Sequence, residues 1–381
     1  MRRPRAPLFF SLLVLIALSS TITTASPPTP ARIRDVAVSP AFFNPTVGQF
    51  SAIQFQAGVA GTATVSILDR DRYLIRVLGP REVPPGSVSF GWDGRDAAGN
   101  LVPDEAYNVR IELRSAQATE TYDPSLDFHP TVDDPQPRTY ARSSGVLSYR
   151  LSKPARVHIE AGQAKADKAT GRASGPILKT IVNREPRVAG AVIEKWNGFD
   201  ESGTIRVPEL PNFVISVLAT SLPESSIITR GNRREDFLEY ASRKRTAAQL
   251  VPKKRTAPAH HHVGLSAFED RSPRLKVKPS ATWNAAANAY VVSGRLKLEI
   301  GVDGLNAAHF LAQPGRMSVY VNDRKVATRE KPSTPLVLSI PARELQPGLH
   351  RVVVNWGSDY GPAALHSFRI SVPSTKAEVR R

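Results

Sequence analysis

The sequence predicts an all-β protein built from tandem β-sandwiches. Three observations carry that expectation. Apolar and polar residues alternate over short runs, as in Thr62-Ala63-Thr64-Val65-Ser66-Ile67-Leu68 and Tyr107-Asn108-Val109-Arg110-Ile111-Glu112-Leu113. That is the period of a strand with one buried face. Turn-forming residues punctuate these runs: Asp69 to Asp71, Pro84-Pro85-Gly86, Asp93-Gly94 and Gly99-Asn100. Finally, one block of this pattern recurs further along the chain.

The first sandwich is expected over 34–117. Its strands are read at Ile53-Gln54-Phe55, the Thr62 run, Tyr73 to Leu78, Val88 to Trp92 and the Tyr107 run. Strands at this spacing point to an immunoglobulin-like sandwich. A second, diverged copy is expected over 138–221. In it, Trp196-Asn197-Gly198-Phe199-Asp200-Glu201-Ser202-Gly203 repeats Trp92-Asp93-Gly94-Arg95-Asp96-Ala97-Ala98-Gly99. Leu147-Ser148-Tyr149 and Val157-His158-Ile159 repeat Ile53-Gln54-Phe55 and Val65-Ser66-Ile67 in the same order, which makes this a true internal repeat. The copy carries an insert, Gly162 to Gly175, read as a hairpin tip. Each copy has one core tryptophan, so each is expected to unfold on its own.

Residues 223–280 are read as a basic connector, with one short helix between Arg233 and Arg245. A third C-terminal β-sandwich is expected over 281–373, with strands at Ala289 to Ile300, Met317 to Val321, Leu336 to Ile340, His350 to Trp356 and Ser367 to Val372. It lacks the Trp-x-Gly-x-Asp block and so is a different type. Residues 374–381 form a charged tail.

Arg2, Arg3 and Arg5, the apolar run Leu8 to Leu18, and the small residues before Ser26 have the layout of a cleavable signal peptide over 1–25. The apolar run falls short of the roughly 20 residues that span a bilayer, and no later segment is apolar enough to do so. The protein is therefore expected to be secreted, periplasmic or at the cell surface, with no transmembrane segment after signal removal. There are no cysteines among the 381 residues. Disulfides, thiol catalysis, Cys-ligated zinc, iron–sulfur clusters and a lipid anchor on cysteine are excluded, and the sandwiches must be held by their cores.

The formal net charge is +17, and it is unevenly placed. Between Pro223 and Ser280 there are 13 Lys/Arg against 6 Asp/Glu, whereas Arg34 to Gln117 holds 8 against 9. The connector charge lies in three clusters: Arg233 and Arg234; Arg243, Lys244 and Arg245; Lys253, Lys254 and Arg255. Such a segment is either a solvated linker or a contact to an anionic envelope surface or an envelope protein. Nucleic acid is not an expected partner of an exported chain.

The remaining chemistry is sparse. Asp93, Asp96, Asn100 and Asp104 have hard oxygen donors but not the spacing of a calcium loop, and turn capping accounts for them. His260 and His262 are weak metal candidates in a polar loop. No nucleophile elbow, zinc-protease helix or phosphate-binding glycine loop occurs. No enzyme activity, cofactor or catalytic residue is expected. Trp92, Asp93, Gly94, Asp96 and Gly99, with Trp196, Gly198, Asp200 and Gly203, are read as folding residues: the tryptophans plug the cores and the Asp-Gly pairs make tight turns.

The first sandwich closely resembles the Ig-like domain of the bacterial flagellar hook-capping protein family. The residues that carry the resemblance are Ser39-Pro40-Ala41-Phe42-Phe43-Asn44-Pro45, Val65 to Asp69, Ile75 to Leu78, and above all Trp92 to Gly99 with Val102, Pro103 and Tyr107. The second copy shares it weakly, with Asn197 in place of the first Asp. In that family the domain also serves as an accessory module on exported bacterial proteins. The resemblance therefore implies a module and not the capping function. A structural or binding role in the cell envelope follows as the expectation, with an accessory subunit or enzyme acting on envelope polysaccharide, or a surface adhesin, as the alternatives.

Overall fold

The computed structural model describes residues 32–126, 128–166, 173–250, 266–341, 345–358 and 363–374. The expected signal peptide, Lys253, Lys254, Arg255, His260, His262 and most of the tail lie outside them.

The first sandwich packs a three-stranded sheet, in the order Ile33–Ser39, Ser51–Ala57, Gly86–Trp92, on a larger sheet centred on Gly61–Leu68 and Ala106–Arg114, with Leu74–Val83 at one edge. Burial follows the alternation read from the sequence. Ile53, Phe55, Val65, Ile67, Val109 and Ile111 are all buried; Gln54 is exposed and Thr64, Arg110 and Glu112 are half-buried, while Ser66, Leu68 and Asn108 are buried as well. These side chains form one core with Trp92 and Tyr107.

The second sandwich repeats the plan. Thr139–Ala141, Val146–Leu151 and Gly190–Lys195 form one sheet. Ile177–Arg187, Ala155–Gln163, Phe213–Ser221 and Val132–Asp133 form the other. Its core gathers Leu147, Tyr149, Val157, Ile159 and Val217.

The third sandwich pairs Arg274–Pro279, Arg295–Asp303 and Leu336–Pro341 in one sheet. Its other sheet has six strands, with Gly315–Val321, Gly348–Ser358 and Ala364–Val372 at the middle. The run Ala289 to Ile300, read as one strand, is two: Ala289–Val291 and Arg295–Asp303 lie in different sheets.

The segment read as a connector is where structure and expectation differ most. Ile227–Thr229 returns to the first sandwich, pairing antiparallel with Ala106 and Tyr107 and parallel with Phe42 and Phe43. Its backbone groups thus complete a sheet edge that would otherwise be open. Helix α1, Phe237–Lys244, is started by an Asp236–Glu239 capping box. Its Phe237, Tyr240 and Ala241 join the core of the first sandwich. Downstream, Arg274–Pro279 already belongs to the third sandwich. Among the described residues, then, this segment works as a clamp on the first sandwich and an entry into the third. From Arg32 onward the chain clusters as one compact unit.

Candidate functional site

The recurring loops after the two tryptophans are built alike. Trp92 is fully buried, edge-on to Phe43 and Tyr107 at 5.8 and 5.1 Å between ring centroids. Its Nε1–H donates to the Arg95 carbonyl at 3.0 Å, as Trp196 Nε1–H does to the Phe199 carbonyl at 2.9 Å. Asp93 Oδ1 accepts from the Arg95 N–H, and Asn197 Oδ1 from the Phe199 N–H. Gly94 sits at φ 72°, and a Cβ there would stand 2.5 Å from Pro45 Cβ. Both the backbone sign and the close approach demand glycine. Gly99, Gly198 and Gly203 also have positive φ.

Asp96 Oδ1 accepts from the N–H groups of Ala98 and Asn100 at 2.9 and 3.0 Å. Asp200 Oδ1 does the same for Thr204 and Ile205 at 3.0 and 2.9 Å. The other oxygen of each carboxylate faces a neighbouring element. Asp96 Oδ2 accepts from the Tyr240 hydroxyl at 3.0 Å and from Lys244 Nζ at 2.5 Å, both on α1. Asp200 Oδ2 accepts from Ser202 Oγ at 2.8 Å and from the hydroxyl of Ser367 in the third sandwich. Burial works to raise the Asp96 pKa, but the bonds from Lys244, the Asn100 N–H and Tyr240 outweigh it and hold the carboxyl below its ordinary value. Asp93 and Asp96 thus cap turns, Asp96 also holds α1, and Asp104 accepts from the Asn232 N–H at 2.7 Å. Among the described residues no cluster of three or more His, Asp or Glu side chains could hold a metal ion.

The basic clusters separate into two kinds. Arg243 pairs with Glu235, Lys244 with Asp96, and Arg245 with Asp69 and Asp71. Arg245 also lies over the Tyr73 ring at 4.0 Å, and only 6 % of its side chain is exposed. Of the cluster expected to face outward, Lys244 and Arg245 tie the segment to the first sandwich, while Arg243 stays exposed and pairs with Glu235 within the segment itself. Composition showed the cations but not the acids waiting for them on the turn at Asp69. Arg233 and Arg234 are exposed; the Arg233 side chain is 75 % accessible and lies 3.9 Å from Asp104. Burial pushes the Asp69 carboxyl up to about 7, with Arg245 opposing that rise.

Sequence reasoning missed a buried charge network where the first two sandwiches and the segment after α1 meet. Arg70 approaches Glu105 at 3.4 Å and pairs with Asp270, Arg156 pairs with Glu105, and Arg184 lies 3.2 Å from Asp270. These residues are spread over 200 positions of sequence, so no spacing marks them. Arg70, Glu105, Arg184 and Asp270 border a cleft of about 530 Å³ that is also lined by Arg230, Arg233 and Glu235.

The second junction is apolar and hydrogen-bonded. Tyr320 and Val353 of the third sandwich pack with Leu178, Trp196 and Val207 of the second. The Asn355 amide accepts from the Ile177 N–H at 2.9 Å and donates to the Ile177 carbonyl at 2.8 Å, so it caps an edge strand much as another strand would. Arg369 donates to the Thr204 carbonyl at 2.7 Å.

Among solved structures, FlgD from P. aeruginosa aligns with 27 % of this chain and 73 % of its own, at 20 % identity and a TM-score of 0.19. The FN1–FN3 domains of chicken CNTN1 align with 90 % of this chain and 97 % of their own, at 11 % identity and a TM-score of 0.18. A 1.5-MDa bacterial ice-binding adhesin aligns with 89 % of this chain and 97 % of the adhesin chain, at 11 % identity and a TM-score of 0.18. A search among curated proteins returned no match. The FlgD Ig-like domain model matches residues 44–117, a stretch that holds the whole first Trp loop. The first sandwich is thus an Ig-like module resembling that of the flagellar hook-capping protein.

Proposed function

We propose that this is an exported, non-enzymatic structural protein of a bacterial cell envelope, whose sandwiches act as a fixed spacer and present surfaces to an envelope partner. The observation that carries this reading is the interlock at each junction. The loop before Ala106–Arg114 in the first sandwich pairs through Glu105 with Arg156 of the second, and the Asp200 loop of the second accepts from Ser367 of the third. A chain built to move its modules independently would leave those loops to solvent. The match of residues 44–117 to a bacterial flagellar module supports the envelope setting. The arginine-rich and cysteine-free composition is compatible with an anionic envelope component as partner.

The test is fractionation of a bacterium expressing the full chain, followed by N-terminal sequencing. The expected result is protein in the periplasm or medium beginning at or near Ser26. Recovery of the chain in the cytoplasm with Met1 retained would overturn the envelope assignment.

A further inference from the structure

A second cavity, of about 220 Å³, shares Arg70, Arg184 and Asp270 with the larger cleft. Its walls come from the turn after Gly61–Leu68, from the segment joining the first two sandwiches, and from the end of Phe213–Ser221. Four arginines line it, Arg70, Arg72, Arg156 and Arg184; among the described residues the one acidic residue that does so is Asp270. The other carboxylates that touch these arginines hold them without lining the cavity. Asp123 takes Arg72 Nη2 at 3.0 Å, and Glu105 takes Arg156.

Arg72 Nη1 is buried and has no hydrogen-bond acceptor. A buried N–H left without an acceptor costs about 1–3 kcal/mol. Burial chiefly, and then the neighbouring Arg70, push the Arg156 guanidinium below its ordinary pKa, with Glu105 and Asp270 opposing. A guanidinium is a planar fork of donors that matches the oxygens of a phosphate or carboxylate, and it cannot relieve crowding by losing its proton at neutral pH.

We propose that this cavity binds a small oxyanion of phosphate size, held by Arg72 Nη1 and the Arg156 guanidinium. The anion would give the open donor of Arg72 an acceptor and offset the cation-rich wall. Its source is either free phosphate or a phosphomonoester group carried on a larger envelope molecule.

Calorimetric titration of the full chain with inorganic phosphate and with glycerol phosphate, against sodium chloride at matched ionic strength, tests this. Saturable binding of either phosphate, with an unfolding midpoint that climbs with its concentration, is expected. Tighter binding of glycerol phosphate assigns the esterified source, and equal or weaker binding assigns the free anion. Arg72→Gln should weaken binding at least about tenfold, the scale of one lost charge-assisted bond. Arg316→Gln, on a distant exposed pair, should leave it unchanged. Should Arg72→Gln fail to fold, Arg72→Lys keeps the charge without the fork and should also bind more weakly than the parent. No saturable heat and no midpoint shift beyond that of chloride would overturn the proposal, as would a folded Arg72→Gln protein that binds like the parent.

Discussion

Asp96 and Asp200 hold the same position in the two Ig-like copies, and each divides its carboxylate between its own loop and a neighbour. Oδ1 caps two backbone N–H groups in both. Oδ2 reaches Tyr240 and Lys244 of α1 in the first copy and Ser367 of the third sandwich in the second. One turn chemistry thus serves local folding and the joining of elements more than 140 positions apart.

Asp96→Ala removes the acceptor for two N–H groups and the partner of Lys244. The expected loss is on the order of 2–4 kcal/mol, since each buried donor left open costs about 1–3 kcal/mol. Tyr240→Phe deletes a single bond and should cost about 0.5–1.5 kcal/mol. Urea midpoints at fixed slope would check both. Equal effects from the two changes would mean that Asp96 does not cap the loop.

Asp270→Ala should destabilise more than either. It takes away the carboxylate that both Arg70 and Arg184 approach in a buried setting. Breaking one side of a buried ion pair costs about 3–5 kcal/mol. A loss under about 1 kcal/mol, the range of exposed pairs, would show that water reaches this junction.

The pH dependence should carry the signature of Asp69. Its folded-state pKa is about 7 against an ordinary 3.8, raised by burial with Arg245 opposing. The folded state therefore holds the proton more tightly than the unfolded chain. Stability from this group is complete below about pH 4 and is lost as pH rises towards 7. Asp69→Asn cannot titrate yet keeps an oxygen for the Asp71 and Tyr73 N–H groups. The stability of the variant relative to the parent should thus climb between pH 4 and 7. A flat difference over that range would contradict the assignment.

The tryptophan loops were legible in the sequence because their chemistry is local: a Trp, a turn and a capping Asp lie within eight residues, and the block occurs twice. The strands around them were legible from alternation. Ile227–Thr229 was not, because three residues show no period and its partner strands lie more than 100 positions upstream. Arg245 was read as outward-facing for a related reason. A sequence shows a cation, while Asp69 and Asp71, which accept from it, are brought close only by the fold.

The two kinds of basic cluster should behave differently on substitution. Changing Lys244 and Arg245 to Gln should lower the unfolding midpoint, because these cations hold α1 to Asp96, Asp69 and Asp71 of the first sandwich. Changing Arg233, Arg234, Lys253, Lys254 and Arg255 to Gln should leave the midpoint unchanged. If the protein contacts an anionic envelope surface through these residues, its binding to anionic vesicles will fall steeply with salt, since exposed charges are screened beyond about 8 Å at physiological ionic strength. The second variant should then lose that binding. A variant that binds as the parent does would move the partner site to a sandwich face.

Calorimetry of the parent, Trp92→Ala and Trp196→Ala proteins tests the central claim that the sandwiches form one locked unit. Each change should cost roughly 3–5 kcal/mol, the usual range for truncating a buried tryptophan. Taken one copy at a time, the repeats would melt separately. Ile227–Thr229, α1, the Arg70–Asp270 network and the Asn355–Ile177 bonds tie them together instead. The expected result is a single cooperative transition that either substitution lowers. Two transitions in the parent, with Trp92→Ala lowering one and Trp196→Ala only the other, would contradict the account.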